Sequence, residues 1–381
     1  MNRRTLLFSL LACAIPIPLL SSCLSGQNLD VTSYNRGVAD LNKGEYDRAI
    51  QNFDQALHVN PNNSDALNNR GIAYQRKGEY DRAIQDYDQA LRLNPKDARA
   101  LNNRAIAYRR KGEYDRAIQD YDQALRVNPN NADAFNNRGI AYRHKGEYDR
   151  AIQDYDQALR LNPRSAAAFD NRGNAYVHKR EYDRAIQDYD QAVRLSPRSP
   201  AAFNNRGNAY VRKGEHERAM QDYDQALRLY PNYTDALFNR GVANFKRGKF
   251  SGAVPDFAKG VQLLPTNAYL ILWLYLAQSR AGSDGREELA RNSTRLGQGV
   301  WPEAIVDLYL GKRSPEAVLA AASDSNLKSQ QKQQCEAYFY IGQYHTVAHR
   351  DDEARSFFQK ARATCPDDFA DLIPTSASGT R

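Results

Sequence analysis

The sequence has little of the material from which disulfide-rich scaffolds and membrane spans are built. Its 381 residues include only 4 cysteines, 2 tryptophans and 2 methionines, and so few cysteines exclude a disulfide framework. No stretch of about 18 apolar residues lies beyond position 22, so we expect no membrane span after that point. Lysine and arginine number 53 against 45 aspartates and glutamates. The remaining charge of +8 is too small to indicate a nucleic-acid surface by itself.

The motifs of common enzyme classes are also missing. There is no GxSxG, HExxH, phosphate-binding glycine loop or CxxC. The 6 histidines are scattered, and His345 and His349, one helical turn apart, have no cysteine or repeated acidic partner nearby. We therefore expect no metal, no cofactor, no small-molecule substrate and no enzymatic activity.

Residues 1–22 have the pattern of an export signal. Two arginines precede an apolar segment, and two serines precede Cys23. The sequence LSSC resembles the bacterial lipobox, in which the cysteine is lipidated and becomes the mature N-terminus. This resemblance implies a lipid anchor at Cys23, a short tether over residues 23–29 and, because Asp does not follow the cysteine, an outer-membrane location facing the periplasm. The alternative is an ordinary secretory signal in which Cys23 is incidental.

One segment, EYDRAIQDYDQALR, recurs along the chain with a period of 34 residues. It is present unchanged or nearly so from Glu45, Glu79, Glu113, Glu147, Glu181 and Glu215. A proline keeps the same period, at Pro61, Pro95, Pro129, Pro163, Pro197, Pro231 and Pro265. The chain therefore contains seven consecutive repeats over residues 30–266.

Each repeat has the apolar pattern of two amphipathic helices. In the second repeat, Leu67, Gly71 and Tyr74 share one face of a first helix, and Ala83 and Tyr87 lie on the buried stripe of a second. Lys-Gly pairs mark the turn between them. This pattern is similar to the tetratricopeptide repeat (TPR). The resemblance implies an all-α fold: a TPR superhelix, or α-solenoid of helix-turn-helix units, with a concave groove.

The chain after the seventh repeat is expected to close the array as a helical C-terminal cap. Pro255, inside the second helix of that repeat, predicts a kinked or shortened helix. A capping region is expected over residues 267–334, an eighth repeat over 335–368 and a disordered tail over 369–381. In the eighth repeat Cys335 opens the first helix and Cys365 ends the second, so we predict a disulfide between them; the alternative is two unpaired thiols.

Three segments of this region resemble a known family. They are LWLYLA, WPEAIVDLYLG and YFYIGQYH, which begin at Leu272, Trp301 and Tyr338. In this order, behind a lipobox and TPR-like repeats, they are similar to the NlpI-type bacterial lipoproteins, although that family has fewer and more divergent repeats. The resemblance implies an adaptor whose partners include periplasmic proteases and cell-wall hydrolases.

The exposed side of the first helices offers a candidate binding surface, which we call the first-helix face. In the second repeat it comprises Asp65, Asn68, Asn69, Ile72, Gln75 and Arg76. Across the repeats it carries a main amide row, Asn35, Asn69, Asn103, Asn137, Asn171, Asn205 and Asn239. A second amide row is Asn68, Asn102, Asn136, Asp170 and Asn204. A basic row is Arg76, Arg110, His144, His178, Arg212 and Lys246.

Amides can pair with the main chain of an extended peptide whatever its side chains. The amide rows resemble the asparagine ladder of O-GlcNAc transferase, and the basic row would favour acidic segments. The alternative is a merely solvated face. A further row is expected to be structural and to pair with second-helix aspartates: Arg36, Arg70, Arg104, Arg138, Arg172, Arg206 and Arg240 with Asp86, Asp120, Asp154, Asp188 and Asp222.

The sequence therefore predicts a membrane-anchored periplasmic adaptor that binds extended segments of partner proteins. The main alternative is a lipoprotein that assists assembly of an outer-membrane, secretion or pilus complex. RNA binding is a weaker alternative, because the export signal directs the chain to a compartment where nucleic acid is scarce.

Overall fold

The structure is a computed structural model that describes residues 31–297, 299 and 301–365. The predicted export signal, the lipidation site at Cys23, the tether, the end of the eighth repeat and the tail lie outside these residues. The described chain is helical throughout and contains no strand. It divides into two compact bodies, an N-terminal body that ends at Lys179 and a C-terminal body that begins at Arg180. Each body is considered by itself.

The N-terminal body contains nine helices among its described residues. Its helices are α1 (residues 31–43), α2 (Tyr46–Val59), α3 (Ser64–Arg76), α4 (Tyr80–Leu93), α5 (Ala98–Arg110), α6 (Tyr114–Val127), α7 (Ala132–His144), α8 (Tyr148–Leu161) and α9 (Ala166–His178). Helix α3 packs against α4, α5 against α6 and α7 against α8. Each helix pair also packs against the next, so the body is a stack of helix-turn-helix units.

The C-terminal body continues the same period and then departs from it. Its helices are α10 (Tyr182–Leu195), α11 (Pro200–Lys213), α12 (His216–Leu229), α13 (Thr234–Lys246), α14 (Phe250–Leu263), α15 (Ala268–Arg280), α16 (Arg286–Ser293), α17 (Glu303–Tyr309), α18 (Pro315–Ala321), α19 (Leu327–Val347) and α20 (Asp351–Thr364). Helices α11–α14 form two pairs of the repeating kind, and α19 pairs with α20.

Local sequence explains where these helices begin and end. The first helices start at a polar N-cap, such as Asn131 or Ser199, whose side chain accepts a backbone N–H of the first turn. The turn to the second helix needs one residue in the left-handed region, which glycine supplies at Gly146 with φ +79°. Arg180 occupies the equivalent position of another repeat with φ 62°, so that turn forms at a higher conformational cost.

Each helix pair is held together by a close contact between a small residue and a ring. A Cβ atom added at Gly71 would lie 2.6 Å from the ring of Tyr87, which is fully buried. Gly139 meets Tyr155 and Gly342 meets Phe358 in the same way. Glycine therefore sets how closely the first and second helices approach. One repeat places a buried alanine, Ala105, at this position.

Helix α14 is not shortened by Pro255, although shortening is one of the two effects that the sequence predicts for this residue. It has 14 residues, as many as α12, with Pro255 inside it. A proline leaves the carbonyl four residues earlier without its helical partner. That residue is Ser251, which is exposed together with Pro255, so water can satisfy the carbonyl.

The C-terminal cap is built around α15. Eight consecutive residues of this helix, from Leu270 to Ala277, are buried. Helix α19 begins at Leu327, not at Cys335, because Asn326 caps it two turns earlier. Cys335 is therefore buried inside the helix and is joined by a disulfide to Cys365 at the end of α20. No helix of the described residues combines the length and apolar character needed to cross a bilayer.

The glycine–ring contact predicts how much volume the core tolerates. Replacing Gly139 by alanine should change the free energy of unfolding little, because Ala105 is accommodated opposite Tyr121 and alanine favours helix. Replacing Gly139 by leucine should destabilise by about 2 kcal/mol through overpacking against Tyr155. Urea unfolding followed by helical circular dichroism measures both. Equal midpoints for the leucine variant and the parent would show that this contact does not limit helix approach.

Candidate functional site

Half-buried arginines hold the first helices in register with two second helices. In α7, Arg138 donates from Nε and Nη2 to both carboxylate oxygens of Asp154 in α8, at 2.8 and 2.7 Å. Its Nη1 donates to Asp122 in α6, at 2.5 Å. The same arrangement is made by Arg70, Arg104, Arg206 and Arg240. Each guanidinium therefore links its own repeat to the preceding one.

The pairing with Asp86, Asp120, Asp154 and Asp222 is the one that the sequence predicts. The second partner was missed. It is an aspartate of the second helix in the preceding repeat, namely Asp54, Asp88, Asp122, Asp156, Asp190 and Asp224, and all of these except Asp54 are the last residue of a DYD motif. The DYD motif is the signal that could have revealed this second partner. Its two aspartates lie two positions apart, so one can bond the arginine of its own repeat and the other the arginine of the next repeat.

The electrostatics of this bridge favour the charged arginine. Burial alone would lower the pKa of Arg138, but its bonds to Asp154 and Asp122 outweigh burial and hold that pKa above its ordinary value. Burial raises the pKa of Asp154, and Arg138 offsets only part of that rise. Asp154 therefore depends on this guanidinium to stay charged. These arginines serve the packing of the repeats and are not available to a ligand.

The two amide rows of the first-helix face bond to each other. Nδ2 of Asn103 donates to Oδ1 of Asn68 at 3.0 Å, and Nδ2 of Asn171 donates to Oδ1 of Asn136 at 3.0 Å. In the C-terminal body, Asn239 donates to Asn204 at 2.9 Å. Each bond joins a repeat to the one before it and uses one of the two N–H groups of the main-row amide. The other N–H and Oδ1 are not used by that bond.

The rows differ in how far they reach the surface. Asn68 and Asn204, in the second row, are buried, with 3% and 4% of their surface exposed, so these two act mainly within the protein. Members of the main row are half-buried, namely Asn69, Asn103, Asn137, Asn171, Asn205 and Asn239, and Asn35 is exposed. Asn102 is half-buried, and its Oδ1 is enclosed without a hydrogen-bond partner. The main row is thus the part of the amide surface that a ligand can reach.

The basic row is exposed but only partly charged. Arg76, Arg110, His144 and His178 are exposed and Arg212 is half-buried. The imidazole of His144 stacks on Tyr114 with 5.1 Å between ring centroids, and His178 stacks on Tyr148 at 4.9 Å. Burial lowers the pKa of His144 below its ordinary value, and Arg143 and Arg109 lower it further. His144 is therefore neutral at pH 7 and adds positive charge only in acid.

A groove of about 510 Å³ opens on the first-helix face of the C-terminal body. Its lining comes from α11, α13 and α15 and from the turn before α15, namely Asn204, Asn205, Asn208, Thr234, Asp235, Phe238, Asn239, Leu264, Asn267, Tyr269 and Leu270. Most of these positions correspond to Asp65, Asn68, Asn69 and Ile72 of the second repeat. The sequence interpretation named Asn204, Asn205 and Asn239 but missed the two rings, Phe238 and Tyr269. The signal was available, because both rings depart from the polar residues of the earlier repeats.

This fold and this face define a protein of repeated helix pairs. A family model described as Tetratricopeptide repeat matches residues 34–98, 68–126, 102–166, 145–200, 171–234 and 204–268. These matches overlap and together span more than half of the chain, so the chain belongs to the tetratricopeptide repeat family. The predicted all-helical solenoid is confirmed. Comparison with proteins of curated function gives no match.

Several solved structures are similar to this chain. A tetratricopeptide repeat protein from Parabacteroides merdae ATCC 43184 is 25% identical, over 67% of this chain and 99% of that one, with a TM-score of 0.55. The APC/C hetero-tetramer Cut9-Hcn1 contains a chain that is 17% identical, over 63% of this chain and 48% of that one, with a TM-score of 0.54; this shows a likeness of fold alone. Pseudomonas aeruginosa pilF is 21% identical, over 56% and 96% of the two chains, with a TM-score of 0.49.

The two carboxylates of one arginine bridge should differ in importance. Asp154→Asn should destabilise by about 3 kcal/mol, because it leaves the mostly buried Arg138 facing a neutral group. Asp122→Asn should cost about 0.5 kcal/mol, because the side chain of Asp122 is 38% exposed and that of Asp154 only 7%. Urea unfolding of both variants against the parent measures the difference. Equal losses would contradict burial as the reason for the stronger pair.

Proposed function

We propose that this chain is a non-enzymatic adaptor that binds extended segments of partner proteins along its first-helix face. The groove of about 510 Å³ carries the proposal, because it lies on that face and is lined by amides and two aromatic rings. Stacked helical repeats present extended surfaces of this kind for binding other proteins. Membership of the tetratricopeptide repeat family, whose members generally serve as protein-interaction scaffolds, supports the same function.

The groove has the chemistry to hold a main chain. Asn239 uses one N–H to bond Asn204, so a second N–H and its carbonyl oxygen can pair with the C=O and N–H of an extended peptide. Phe238 and Tyr269 offer apolar ring surface to alternate side chains of that peptide. Amides recognise the backbone and rings recognise side chains, so the groove combines general binding with some selectivity.

The N-terminal body would hold segments in the same way but with a preference for acidic ones. Its main amide row includes the half-buried Asn103, Asn137 and Asn171. Arg76 and Arg110 lie exposed on the same face and would attract carboxylates. His144 of the basic row contributes less at neutral pH, because burial lowers its pKa.

The proposal extends to location and partners by resemblance. The lipobox-like sequence before Cys23 supports a lipid anchor on the outer membrane, facing the periplasm. The three NlpI-like segments of the C-terminal region support periplasmic proteases and cell-wall hydrolases as clients.

Replacement of Cys23 by serine should move the exported protein from the membrane fraction to the soluble fraction. Unchanged membrane association would refute the anchor.

Selection of phage-displayed random peptides on the full exported chain tests the groove. Peptides recovered on the parent should bind the double variant Phe238→Ala, Asn239→Ala at least about tenfold more weakly, because ring contacts and main-chain pairing are both lost. The matched control is Tyr230→Ala, Asn232→Ala, which removes an exposed ring and amide of the same body outside the groove. Binding measured by calorimetry should be unchanged in the control.

The same selection tests the N-terminal body with the triple variant Asn103→Ala, Asn137→Ala, Asn171→Ala. Asn62→Ala with Asn130→Ala is its control, because both amides are exposed in turns. Equal binding by the groove variants and their controls would refute the first-helix face as the binding surface.

Affinity capture from the envelope distinguishes the two candidate roles. Recovery of proteases and hydrolases supports the adaptor, whereas recovery of components of an outer-membrane or secretion complex supports a role in assembly.

A further inference from the structure

A second cavity, of about 430 Å³, lies in the cap of the C-terminal body. It is lined in part by α19, by the segment before α17 and by the segment that follows α18, and we call it the cap cavity. The residues that matter for its chemistry are Tyr269, Trp301, Asp324, Lys332, Gln333 and Glu336. Tyr269 also lines the groove, so the two cavities are neighbours. Tyr269 is therefore a side chain shared by the groove and the cap cavity.

Glu336 is the least exposed charged side chain of this cavity. Only 2% of the residue is exposed. Its Oε2 accepts two hydrogen bonds, from the hydroxyl of Tyr269 at 2.9 Å and from Nε1 of Trp301 at 2.6 Å. Burial raises the pKa of Tyr269, and Glu336 raises it further, so this hydroxyl stays protonated and remains a donor. These two hydrogen bonds fix the orientation of the Glu336 carboxylate through Oε2.

Among the described residues, the other oxygen of Glu336 has no close cationic partner. The nearest is Nζ of Lys332, at 3.8 Å, which is beyond hydrogen-bond distance. The lysine side chain is 66% exposed, so it can swing into solvent at little cost. A carboxylate that is buried this deeply ordinarily needs a close positive partner. The cavity thus holds an oriented anion whose charge is only partly compensated.

Two further lining residues, Asp324 and Gln333, add hydrogen-bond acceptors. Asp324 supplies a second carboxylate, which accepts the backbone N–H of Asn326 at 2.8 Å. Gln333 directs its amide nitrogen to Asp324 at 3.3 Å, and its Oε1 is buried without a hydrogen-bond partner. In the described residues no group of three His, Cys, Asp or Glu side chains is placed to hold a metal ion. An organic cation with several N–H donors therefore fits the cavity better than a metal does.

We propose that the cap cavity accepts the cationic end of an arginine or lysine side chain, supplied by a segment bound in the adjacent groove. The source of that side chain rests on the proposed function, whereas binding of the cation itself does not. A guanidinium presents five N–H donors in a plane and can meet Glu336, Asp324 and the free Oε1 of Gln333. The rings of Trp301 and Tyr269 also favour a cation over a neutral group.

Titration of the full chain with N-acetyl-argininamide tests the cavity without any peptide. The chain has two tryptophans, and Trp273 is buried in the core, so a saturable change in tryptophan fluorescence reports on Trp301. We expect saturation with N-acetyl-argininamide or N-acetyl-lysinamide and none with N-acetyl-citrullinamide, which has nearly the shape of the arginine compound without its charge. Saturation by the citrulline compound at the same concentration would overturn the proposal.

Three variants sharpen the test. Glu336→Gln keeps an acceptor for Tyr269 and Trp301 but removes the charge, so affinity for N-acetyl-argininamide should fall about tenfold. Asp324→Asn should weaken binding of N-acetyl-argininamide less. If Glu336→Gln lowers the midpoint of thermal unfolding, the affinity of Asp324→Asn provides the test instead. Lys332→Gln removes a competing cation and should tighten binding about threefold. Unchanged affinity in both Glu336→Gln and Asp324→Asn, or weaker binding in Lys332→Gln, would overturn the proposal.

The groove variant Phe238→Ala, Asn239→Ala separates this inference from the proposed function. It should lose the selected peptides but keep N-acetyl-argininamide. Peptides selected on the parent should also be enriched in arginine or lysine at one position, and peptides selected on Glu336→Gln should not. If peptides bind the groove with no such enrichment, the cavity proposal fails while the proposed function stands. If the argininamide binds and no peptide is ever selected, the proposed function fails and the cation site stands.

Discussion

The structure depends most on the guanidinium that sits between two carboxylates in repeats two, three, four, six and seven. Arg138 bonds Asp154 of its own repeat and Asp122 of the preceding one, so one side chain fixes both the helix pair and its neighbour. A guanidinium has donors in a rigid plane, and it can satisfy two carboxylates only in one geometry. Repetition of this bridge therefore repeats the register between repeats. A constant register in turn places the amides of the first-helix face at regular intervals.

The same requirement explains why the main row of the first-helix face leaves amides, and not the neighbouring arginines, open to a ligand. Arg104, beside the main-row Asn103, is consumed by its bonds to Asp120 and Asp88. Asn103 itself bonds Asn68 of the preceding repeat with one N–H. A repeat of this kind thus uses this arginine for cohesion and keeps a neutral hydrogen-bonding group beside it at the surface. Neutral amides cost less to desolvate than charges when a ligand covers them.

The sequence predicted the repeating parts of the fold well, because the same pattern of apolar and small residues recurs every 34 residues. Gly71, Tyr74 and Tyr87 recur together, and only a helix pair places all three in one core. The sequence of one repeat does not show which residues of the next repeat it contacts. For this reason the second carboxylate of the bridge and the burial of Asn68 were missed. The start of α19 was missed for a different reason: residues before Cys335 are polar, and only the cap at Asn326 marks the helix.

The candidate site emerges where the repeats stop being alike. Phe238 occupies the position held by asparagine or aspartate in repeats two to six, and Tyr269 stands where earlier repeats have Asp65 or Asp235. A regular amide face can hold any extended chain, because main-chain groups are the same in every peptide. Selectivity needs irregular groups, and in the C-terminal body these are the two rings of the groove and the carboxylate of Glu336 behind one of them. On the proposed function, the near-identical repeats would extend the binding surface and the divergent C-terminal end would distinguish between ligands.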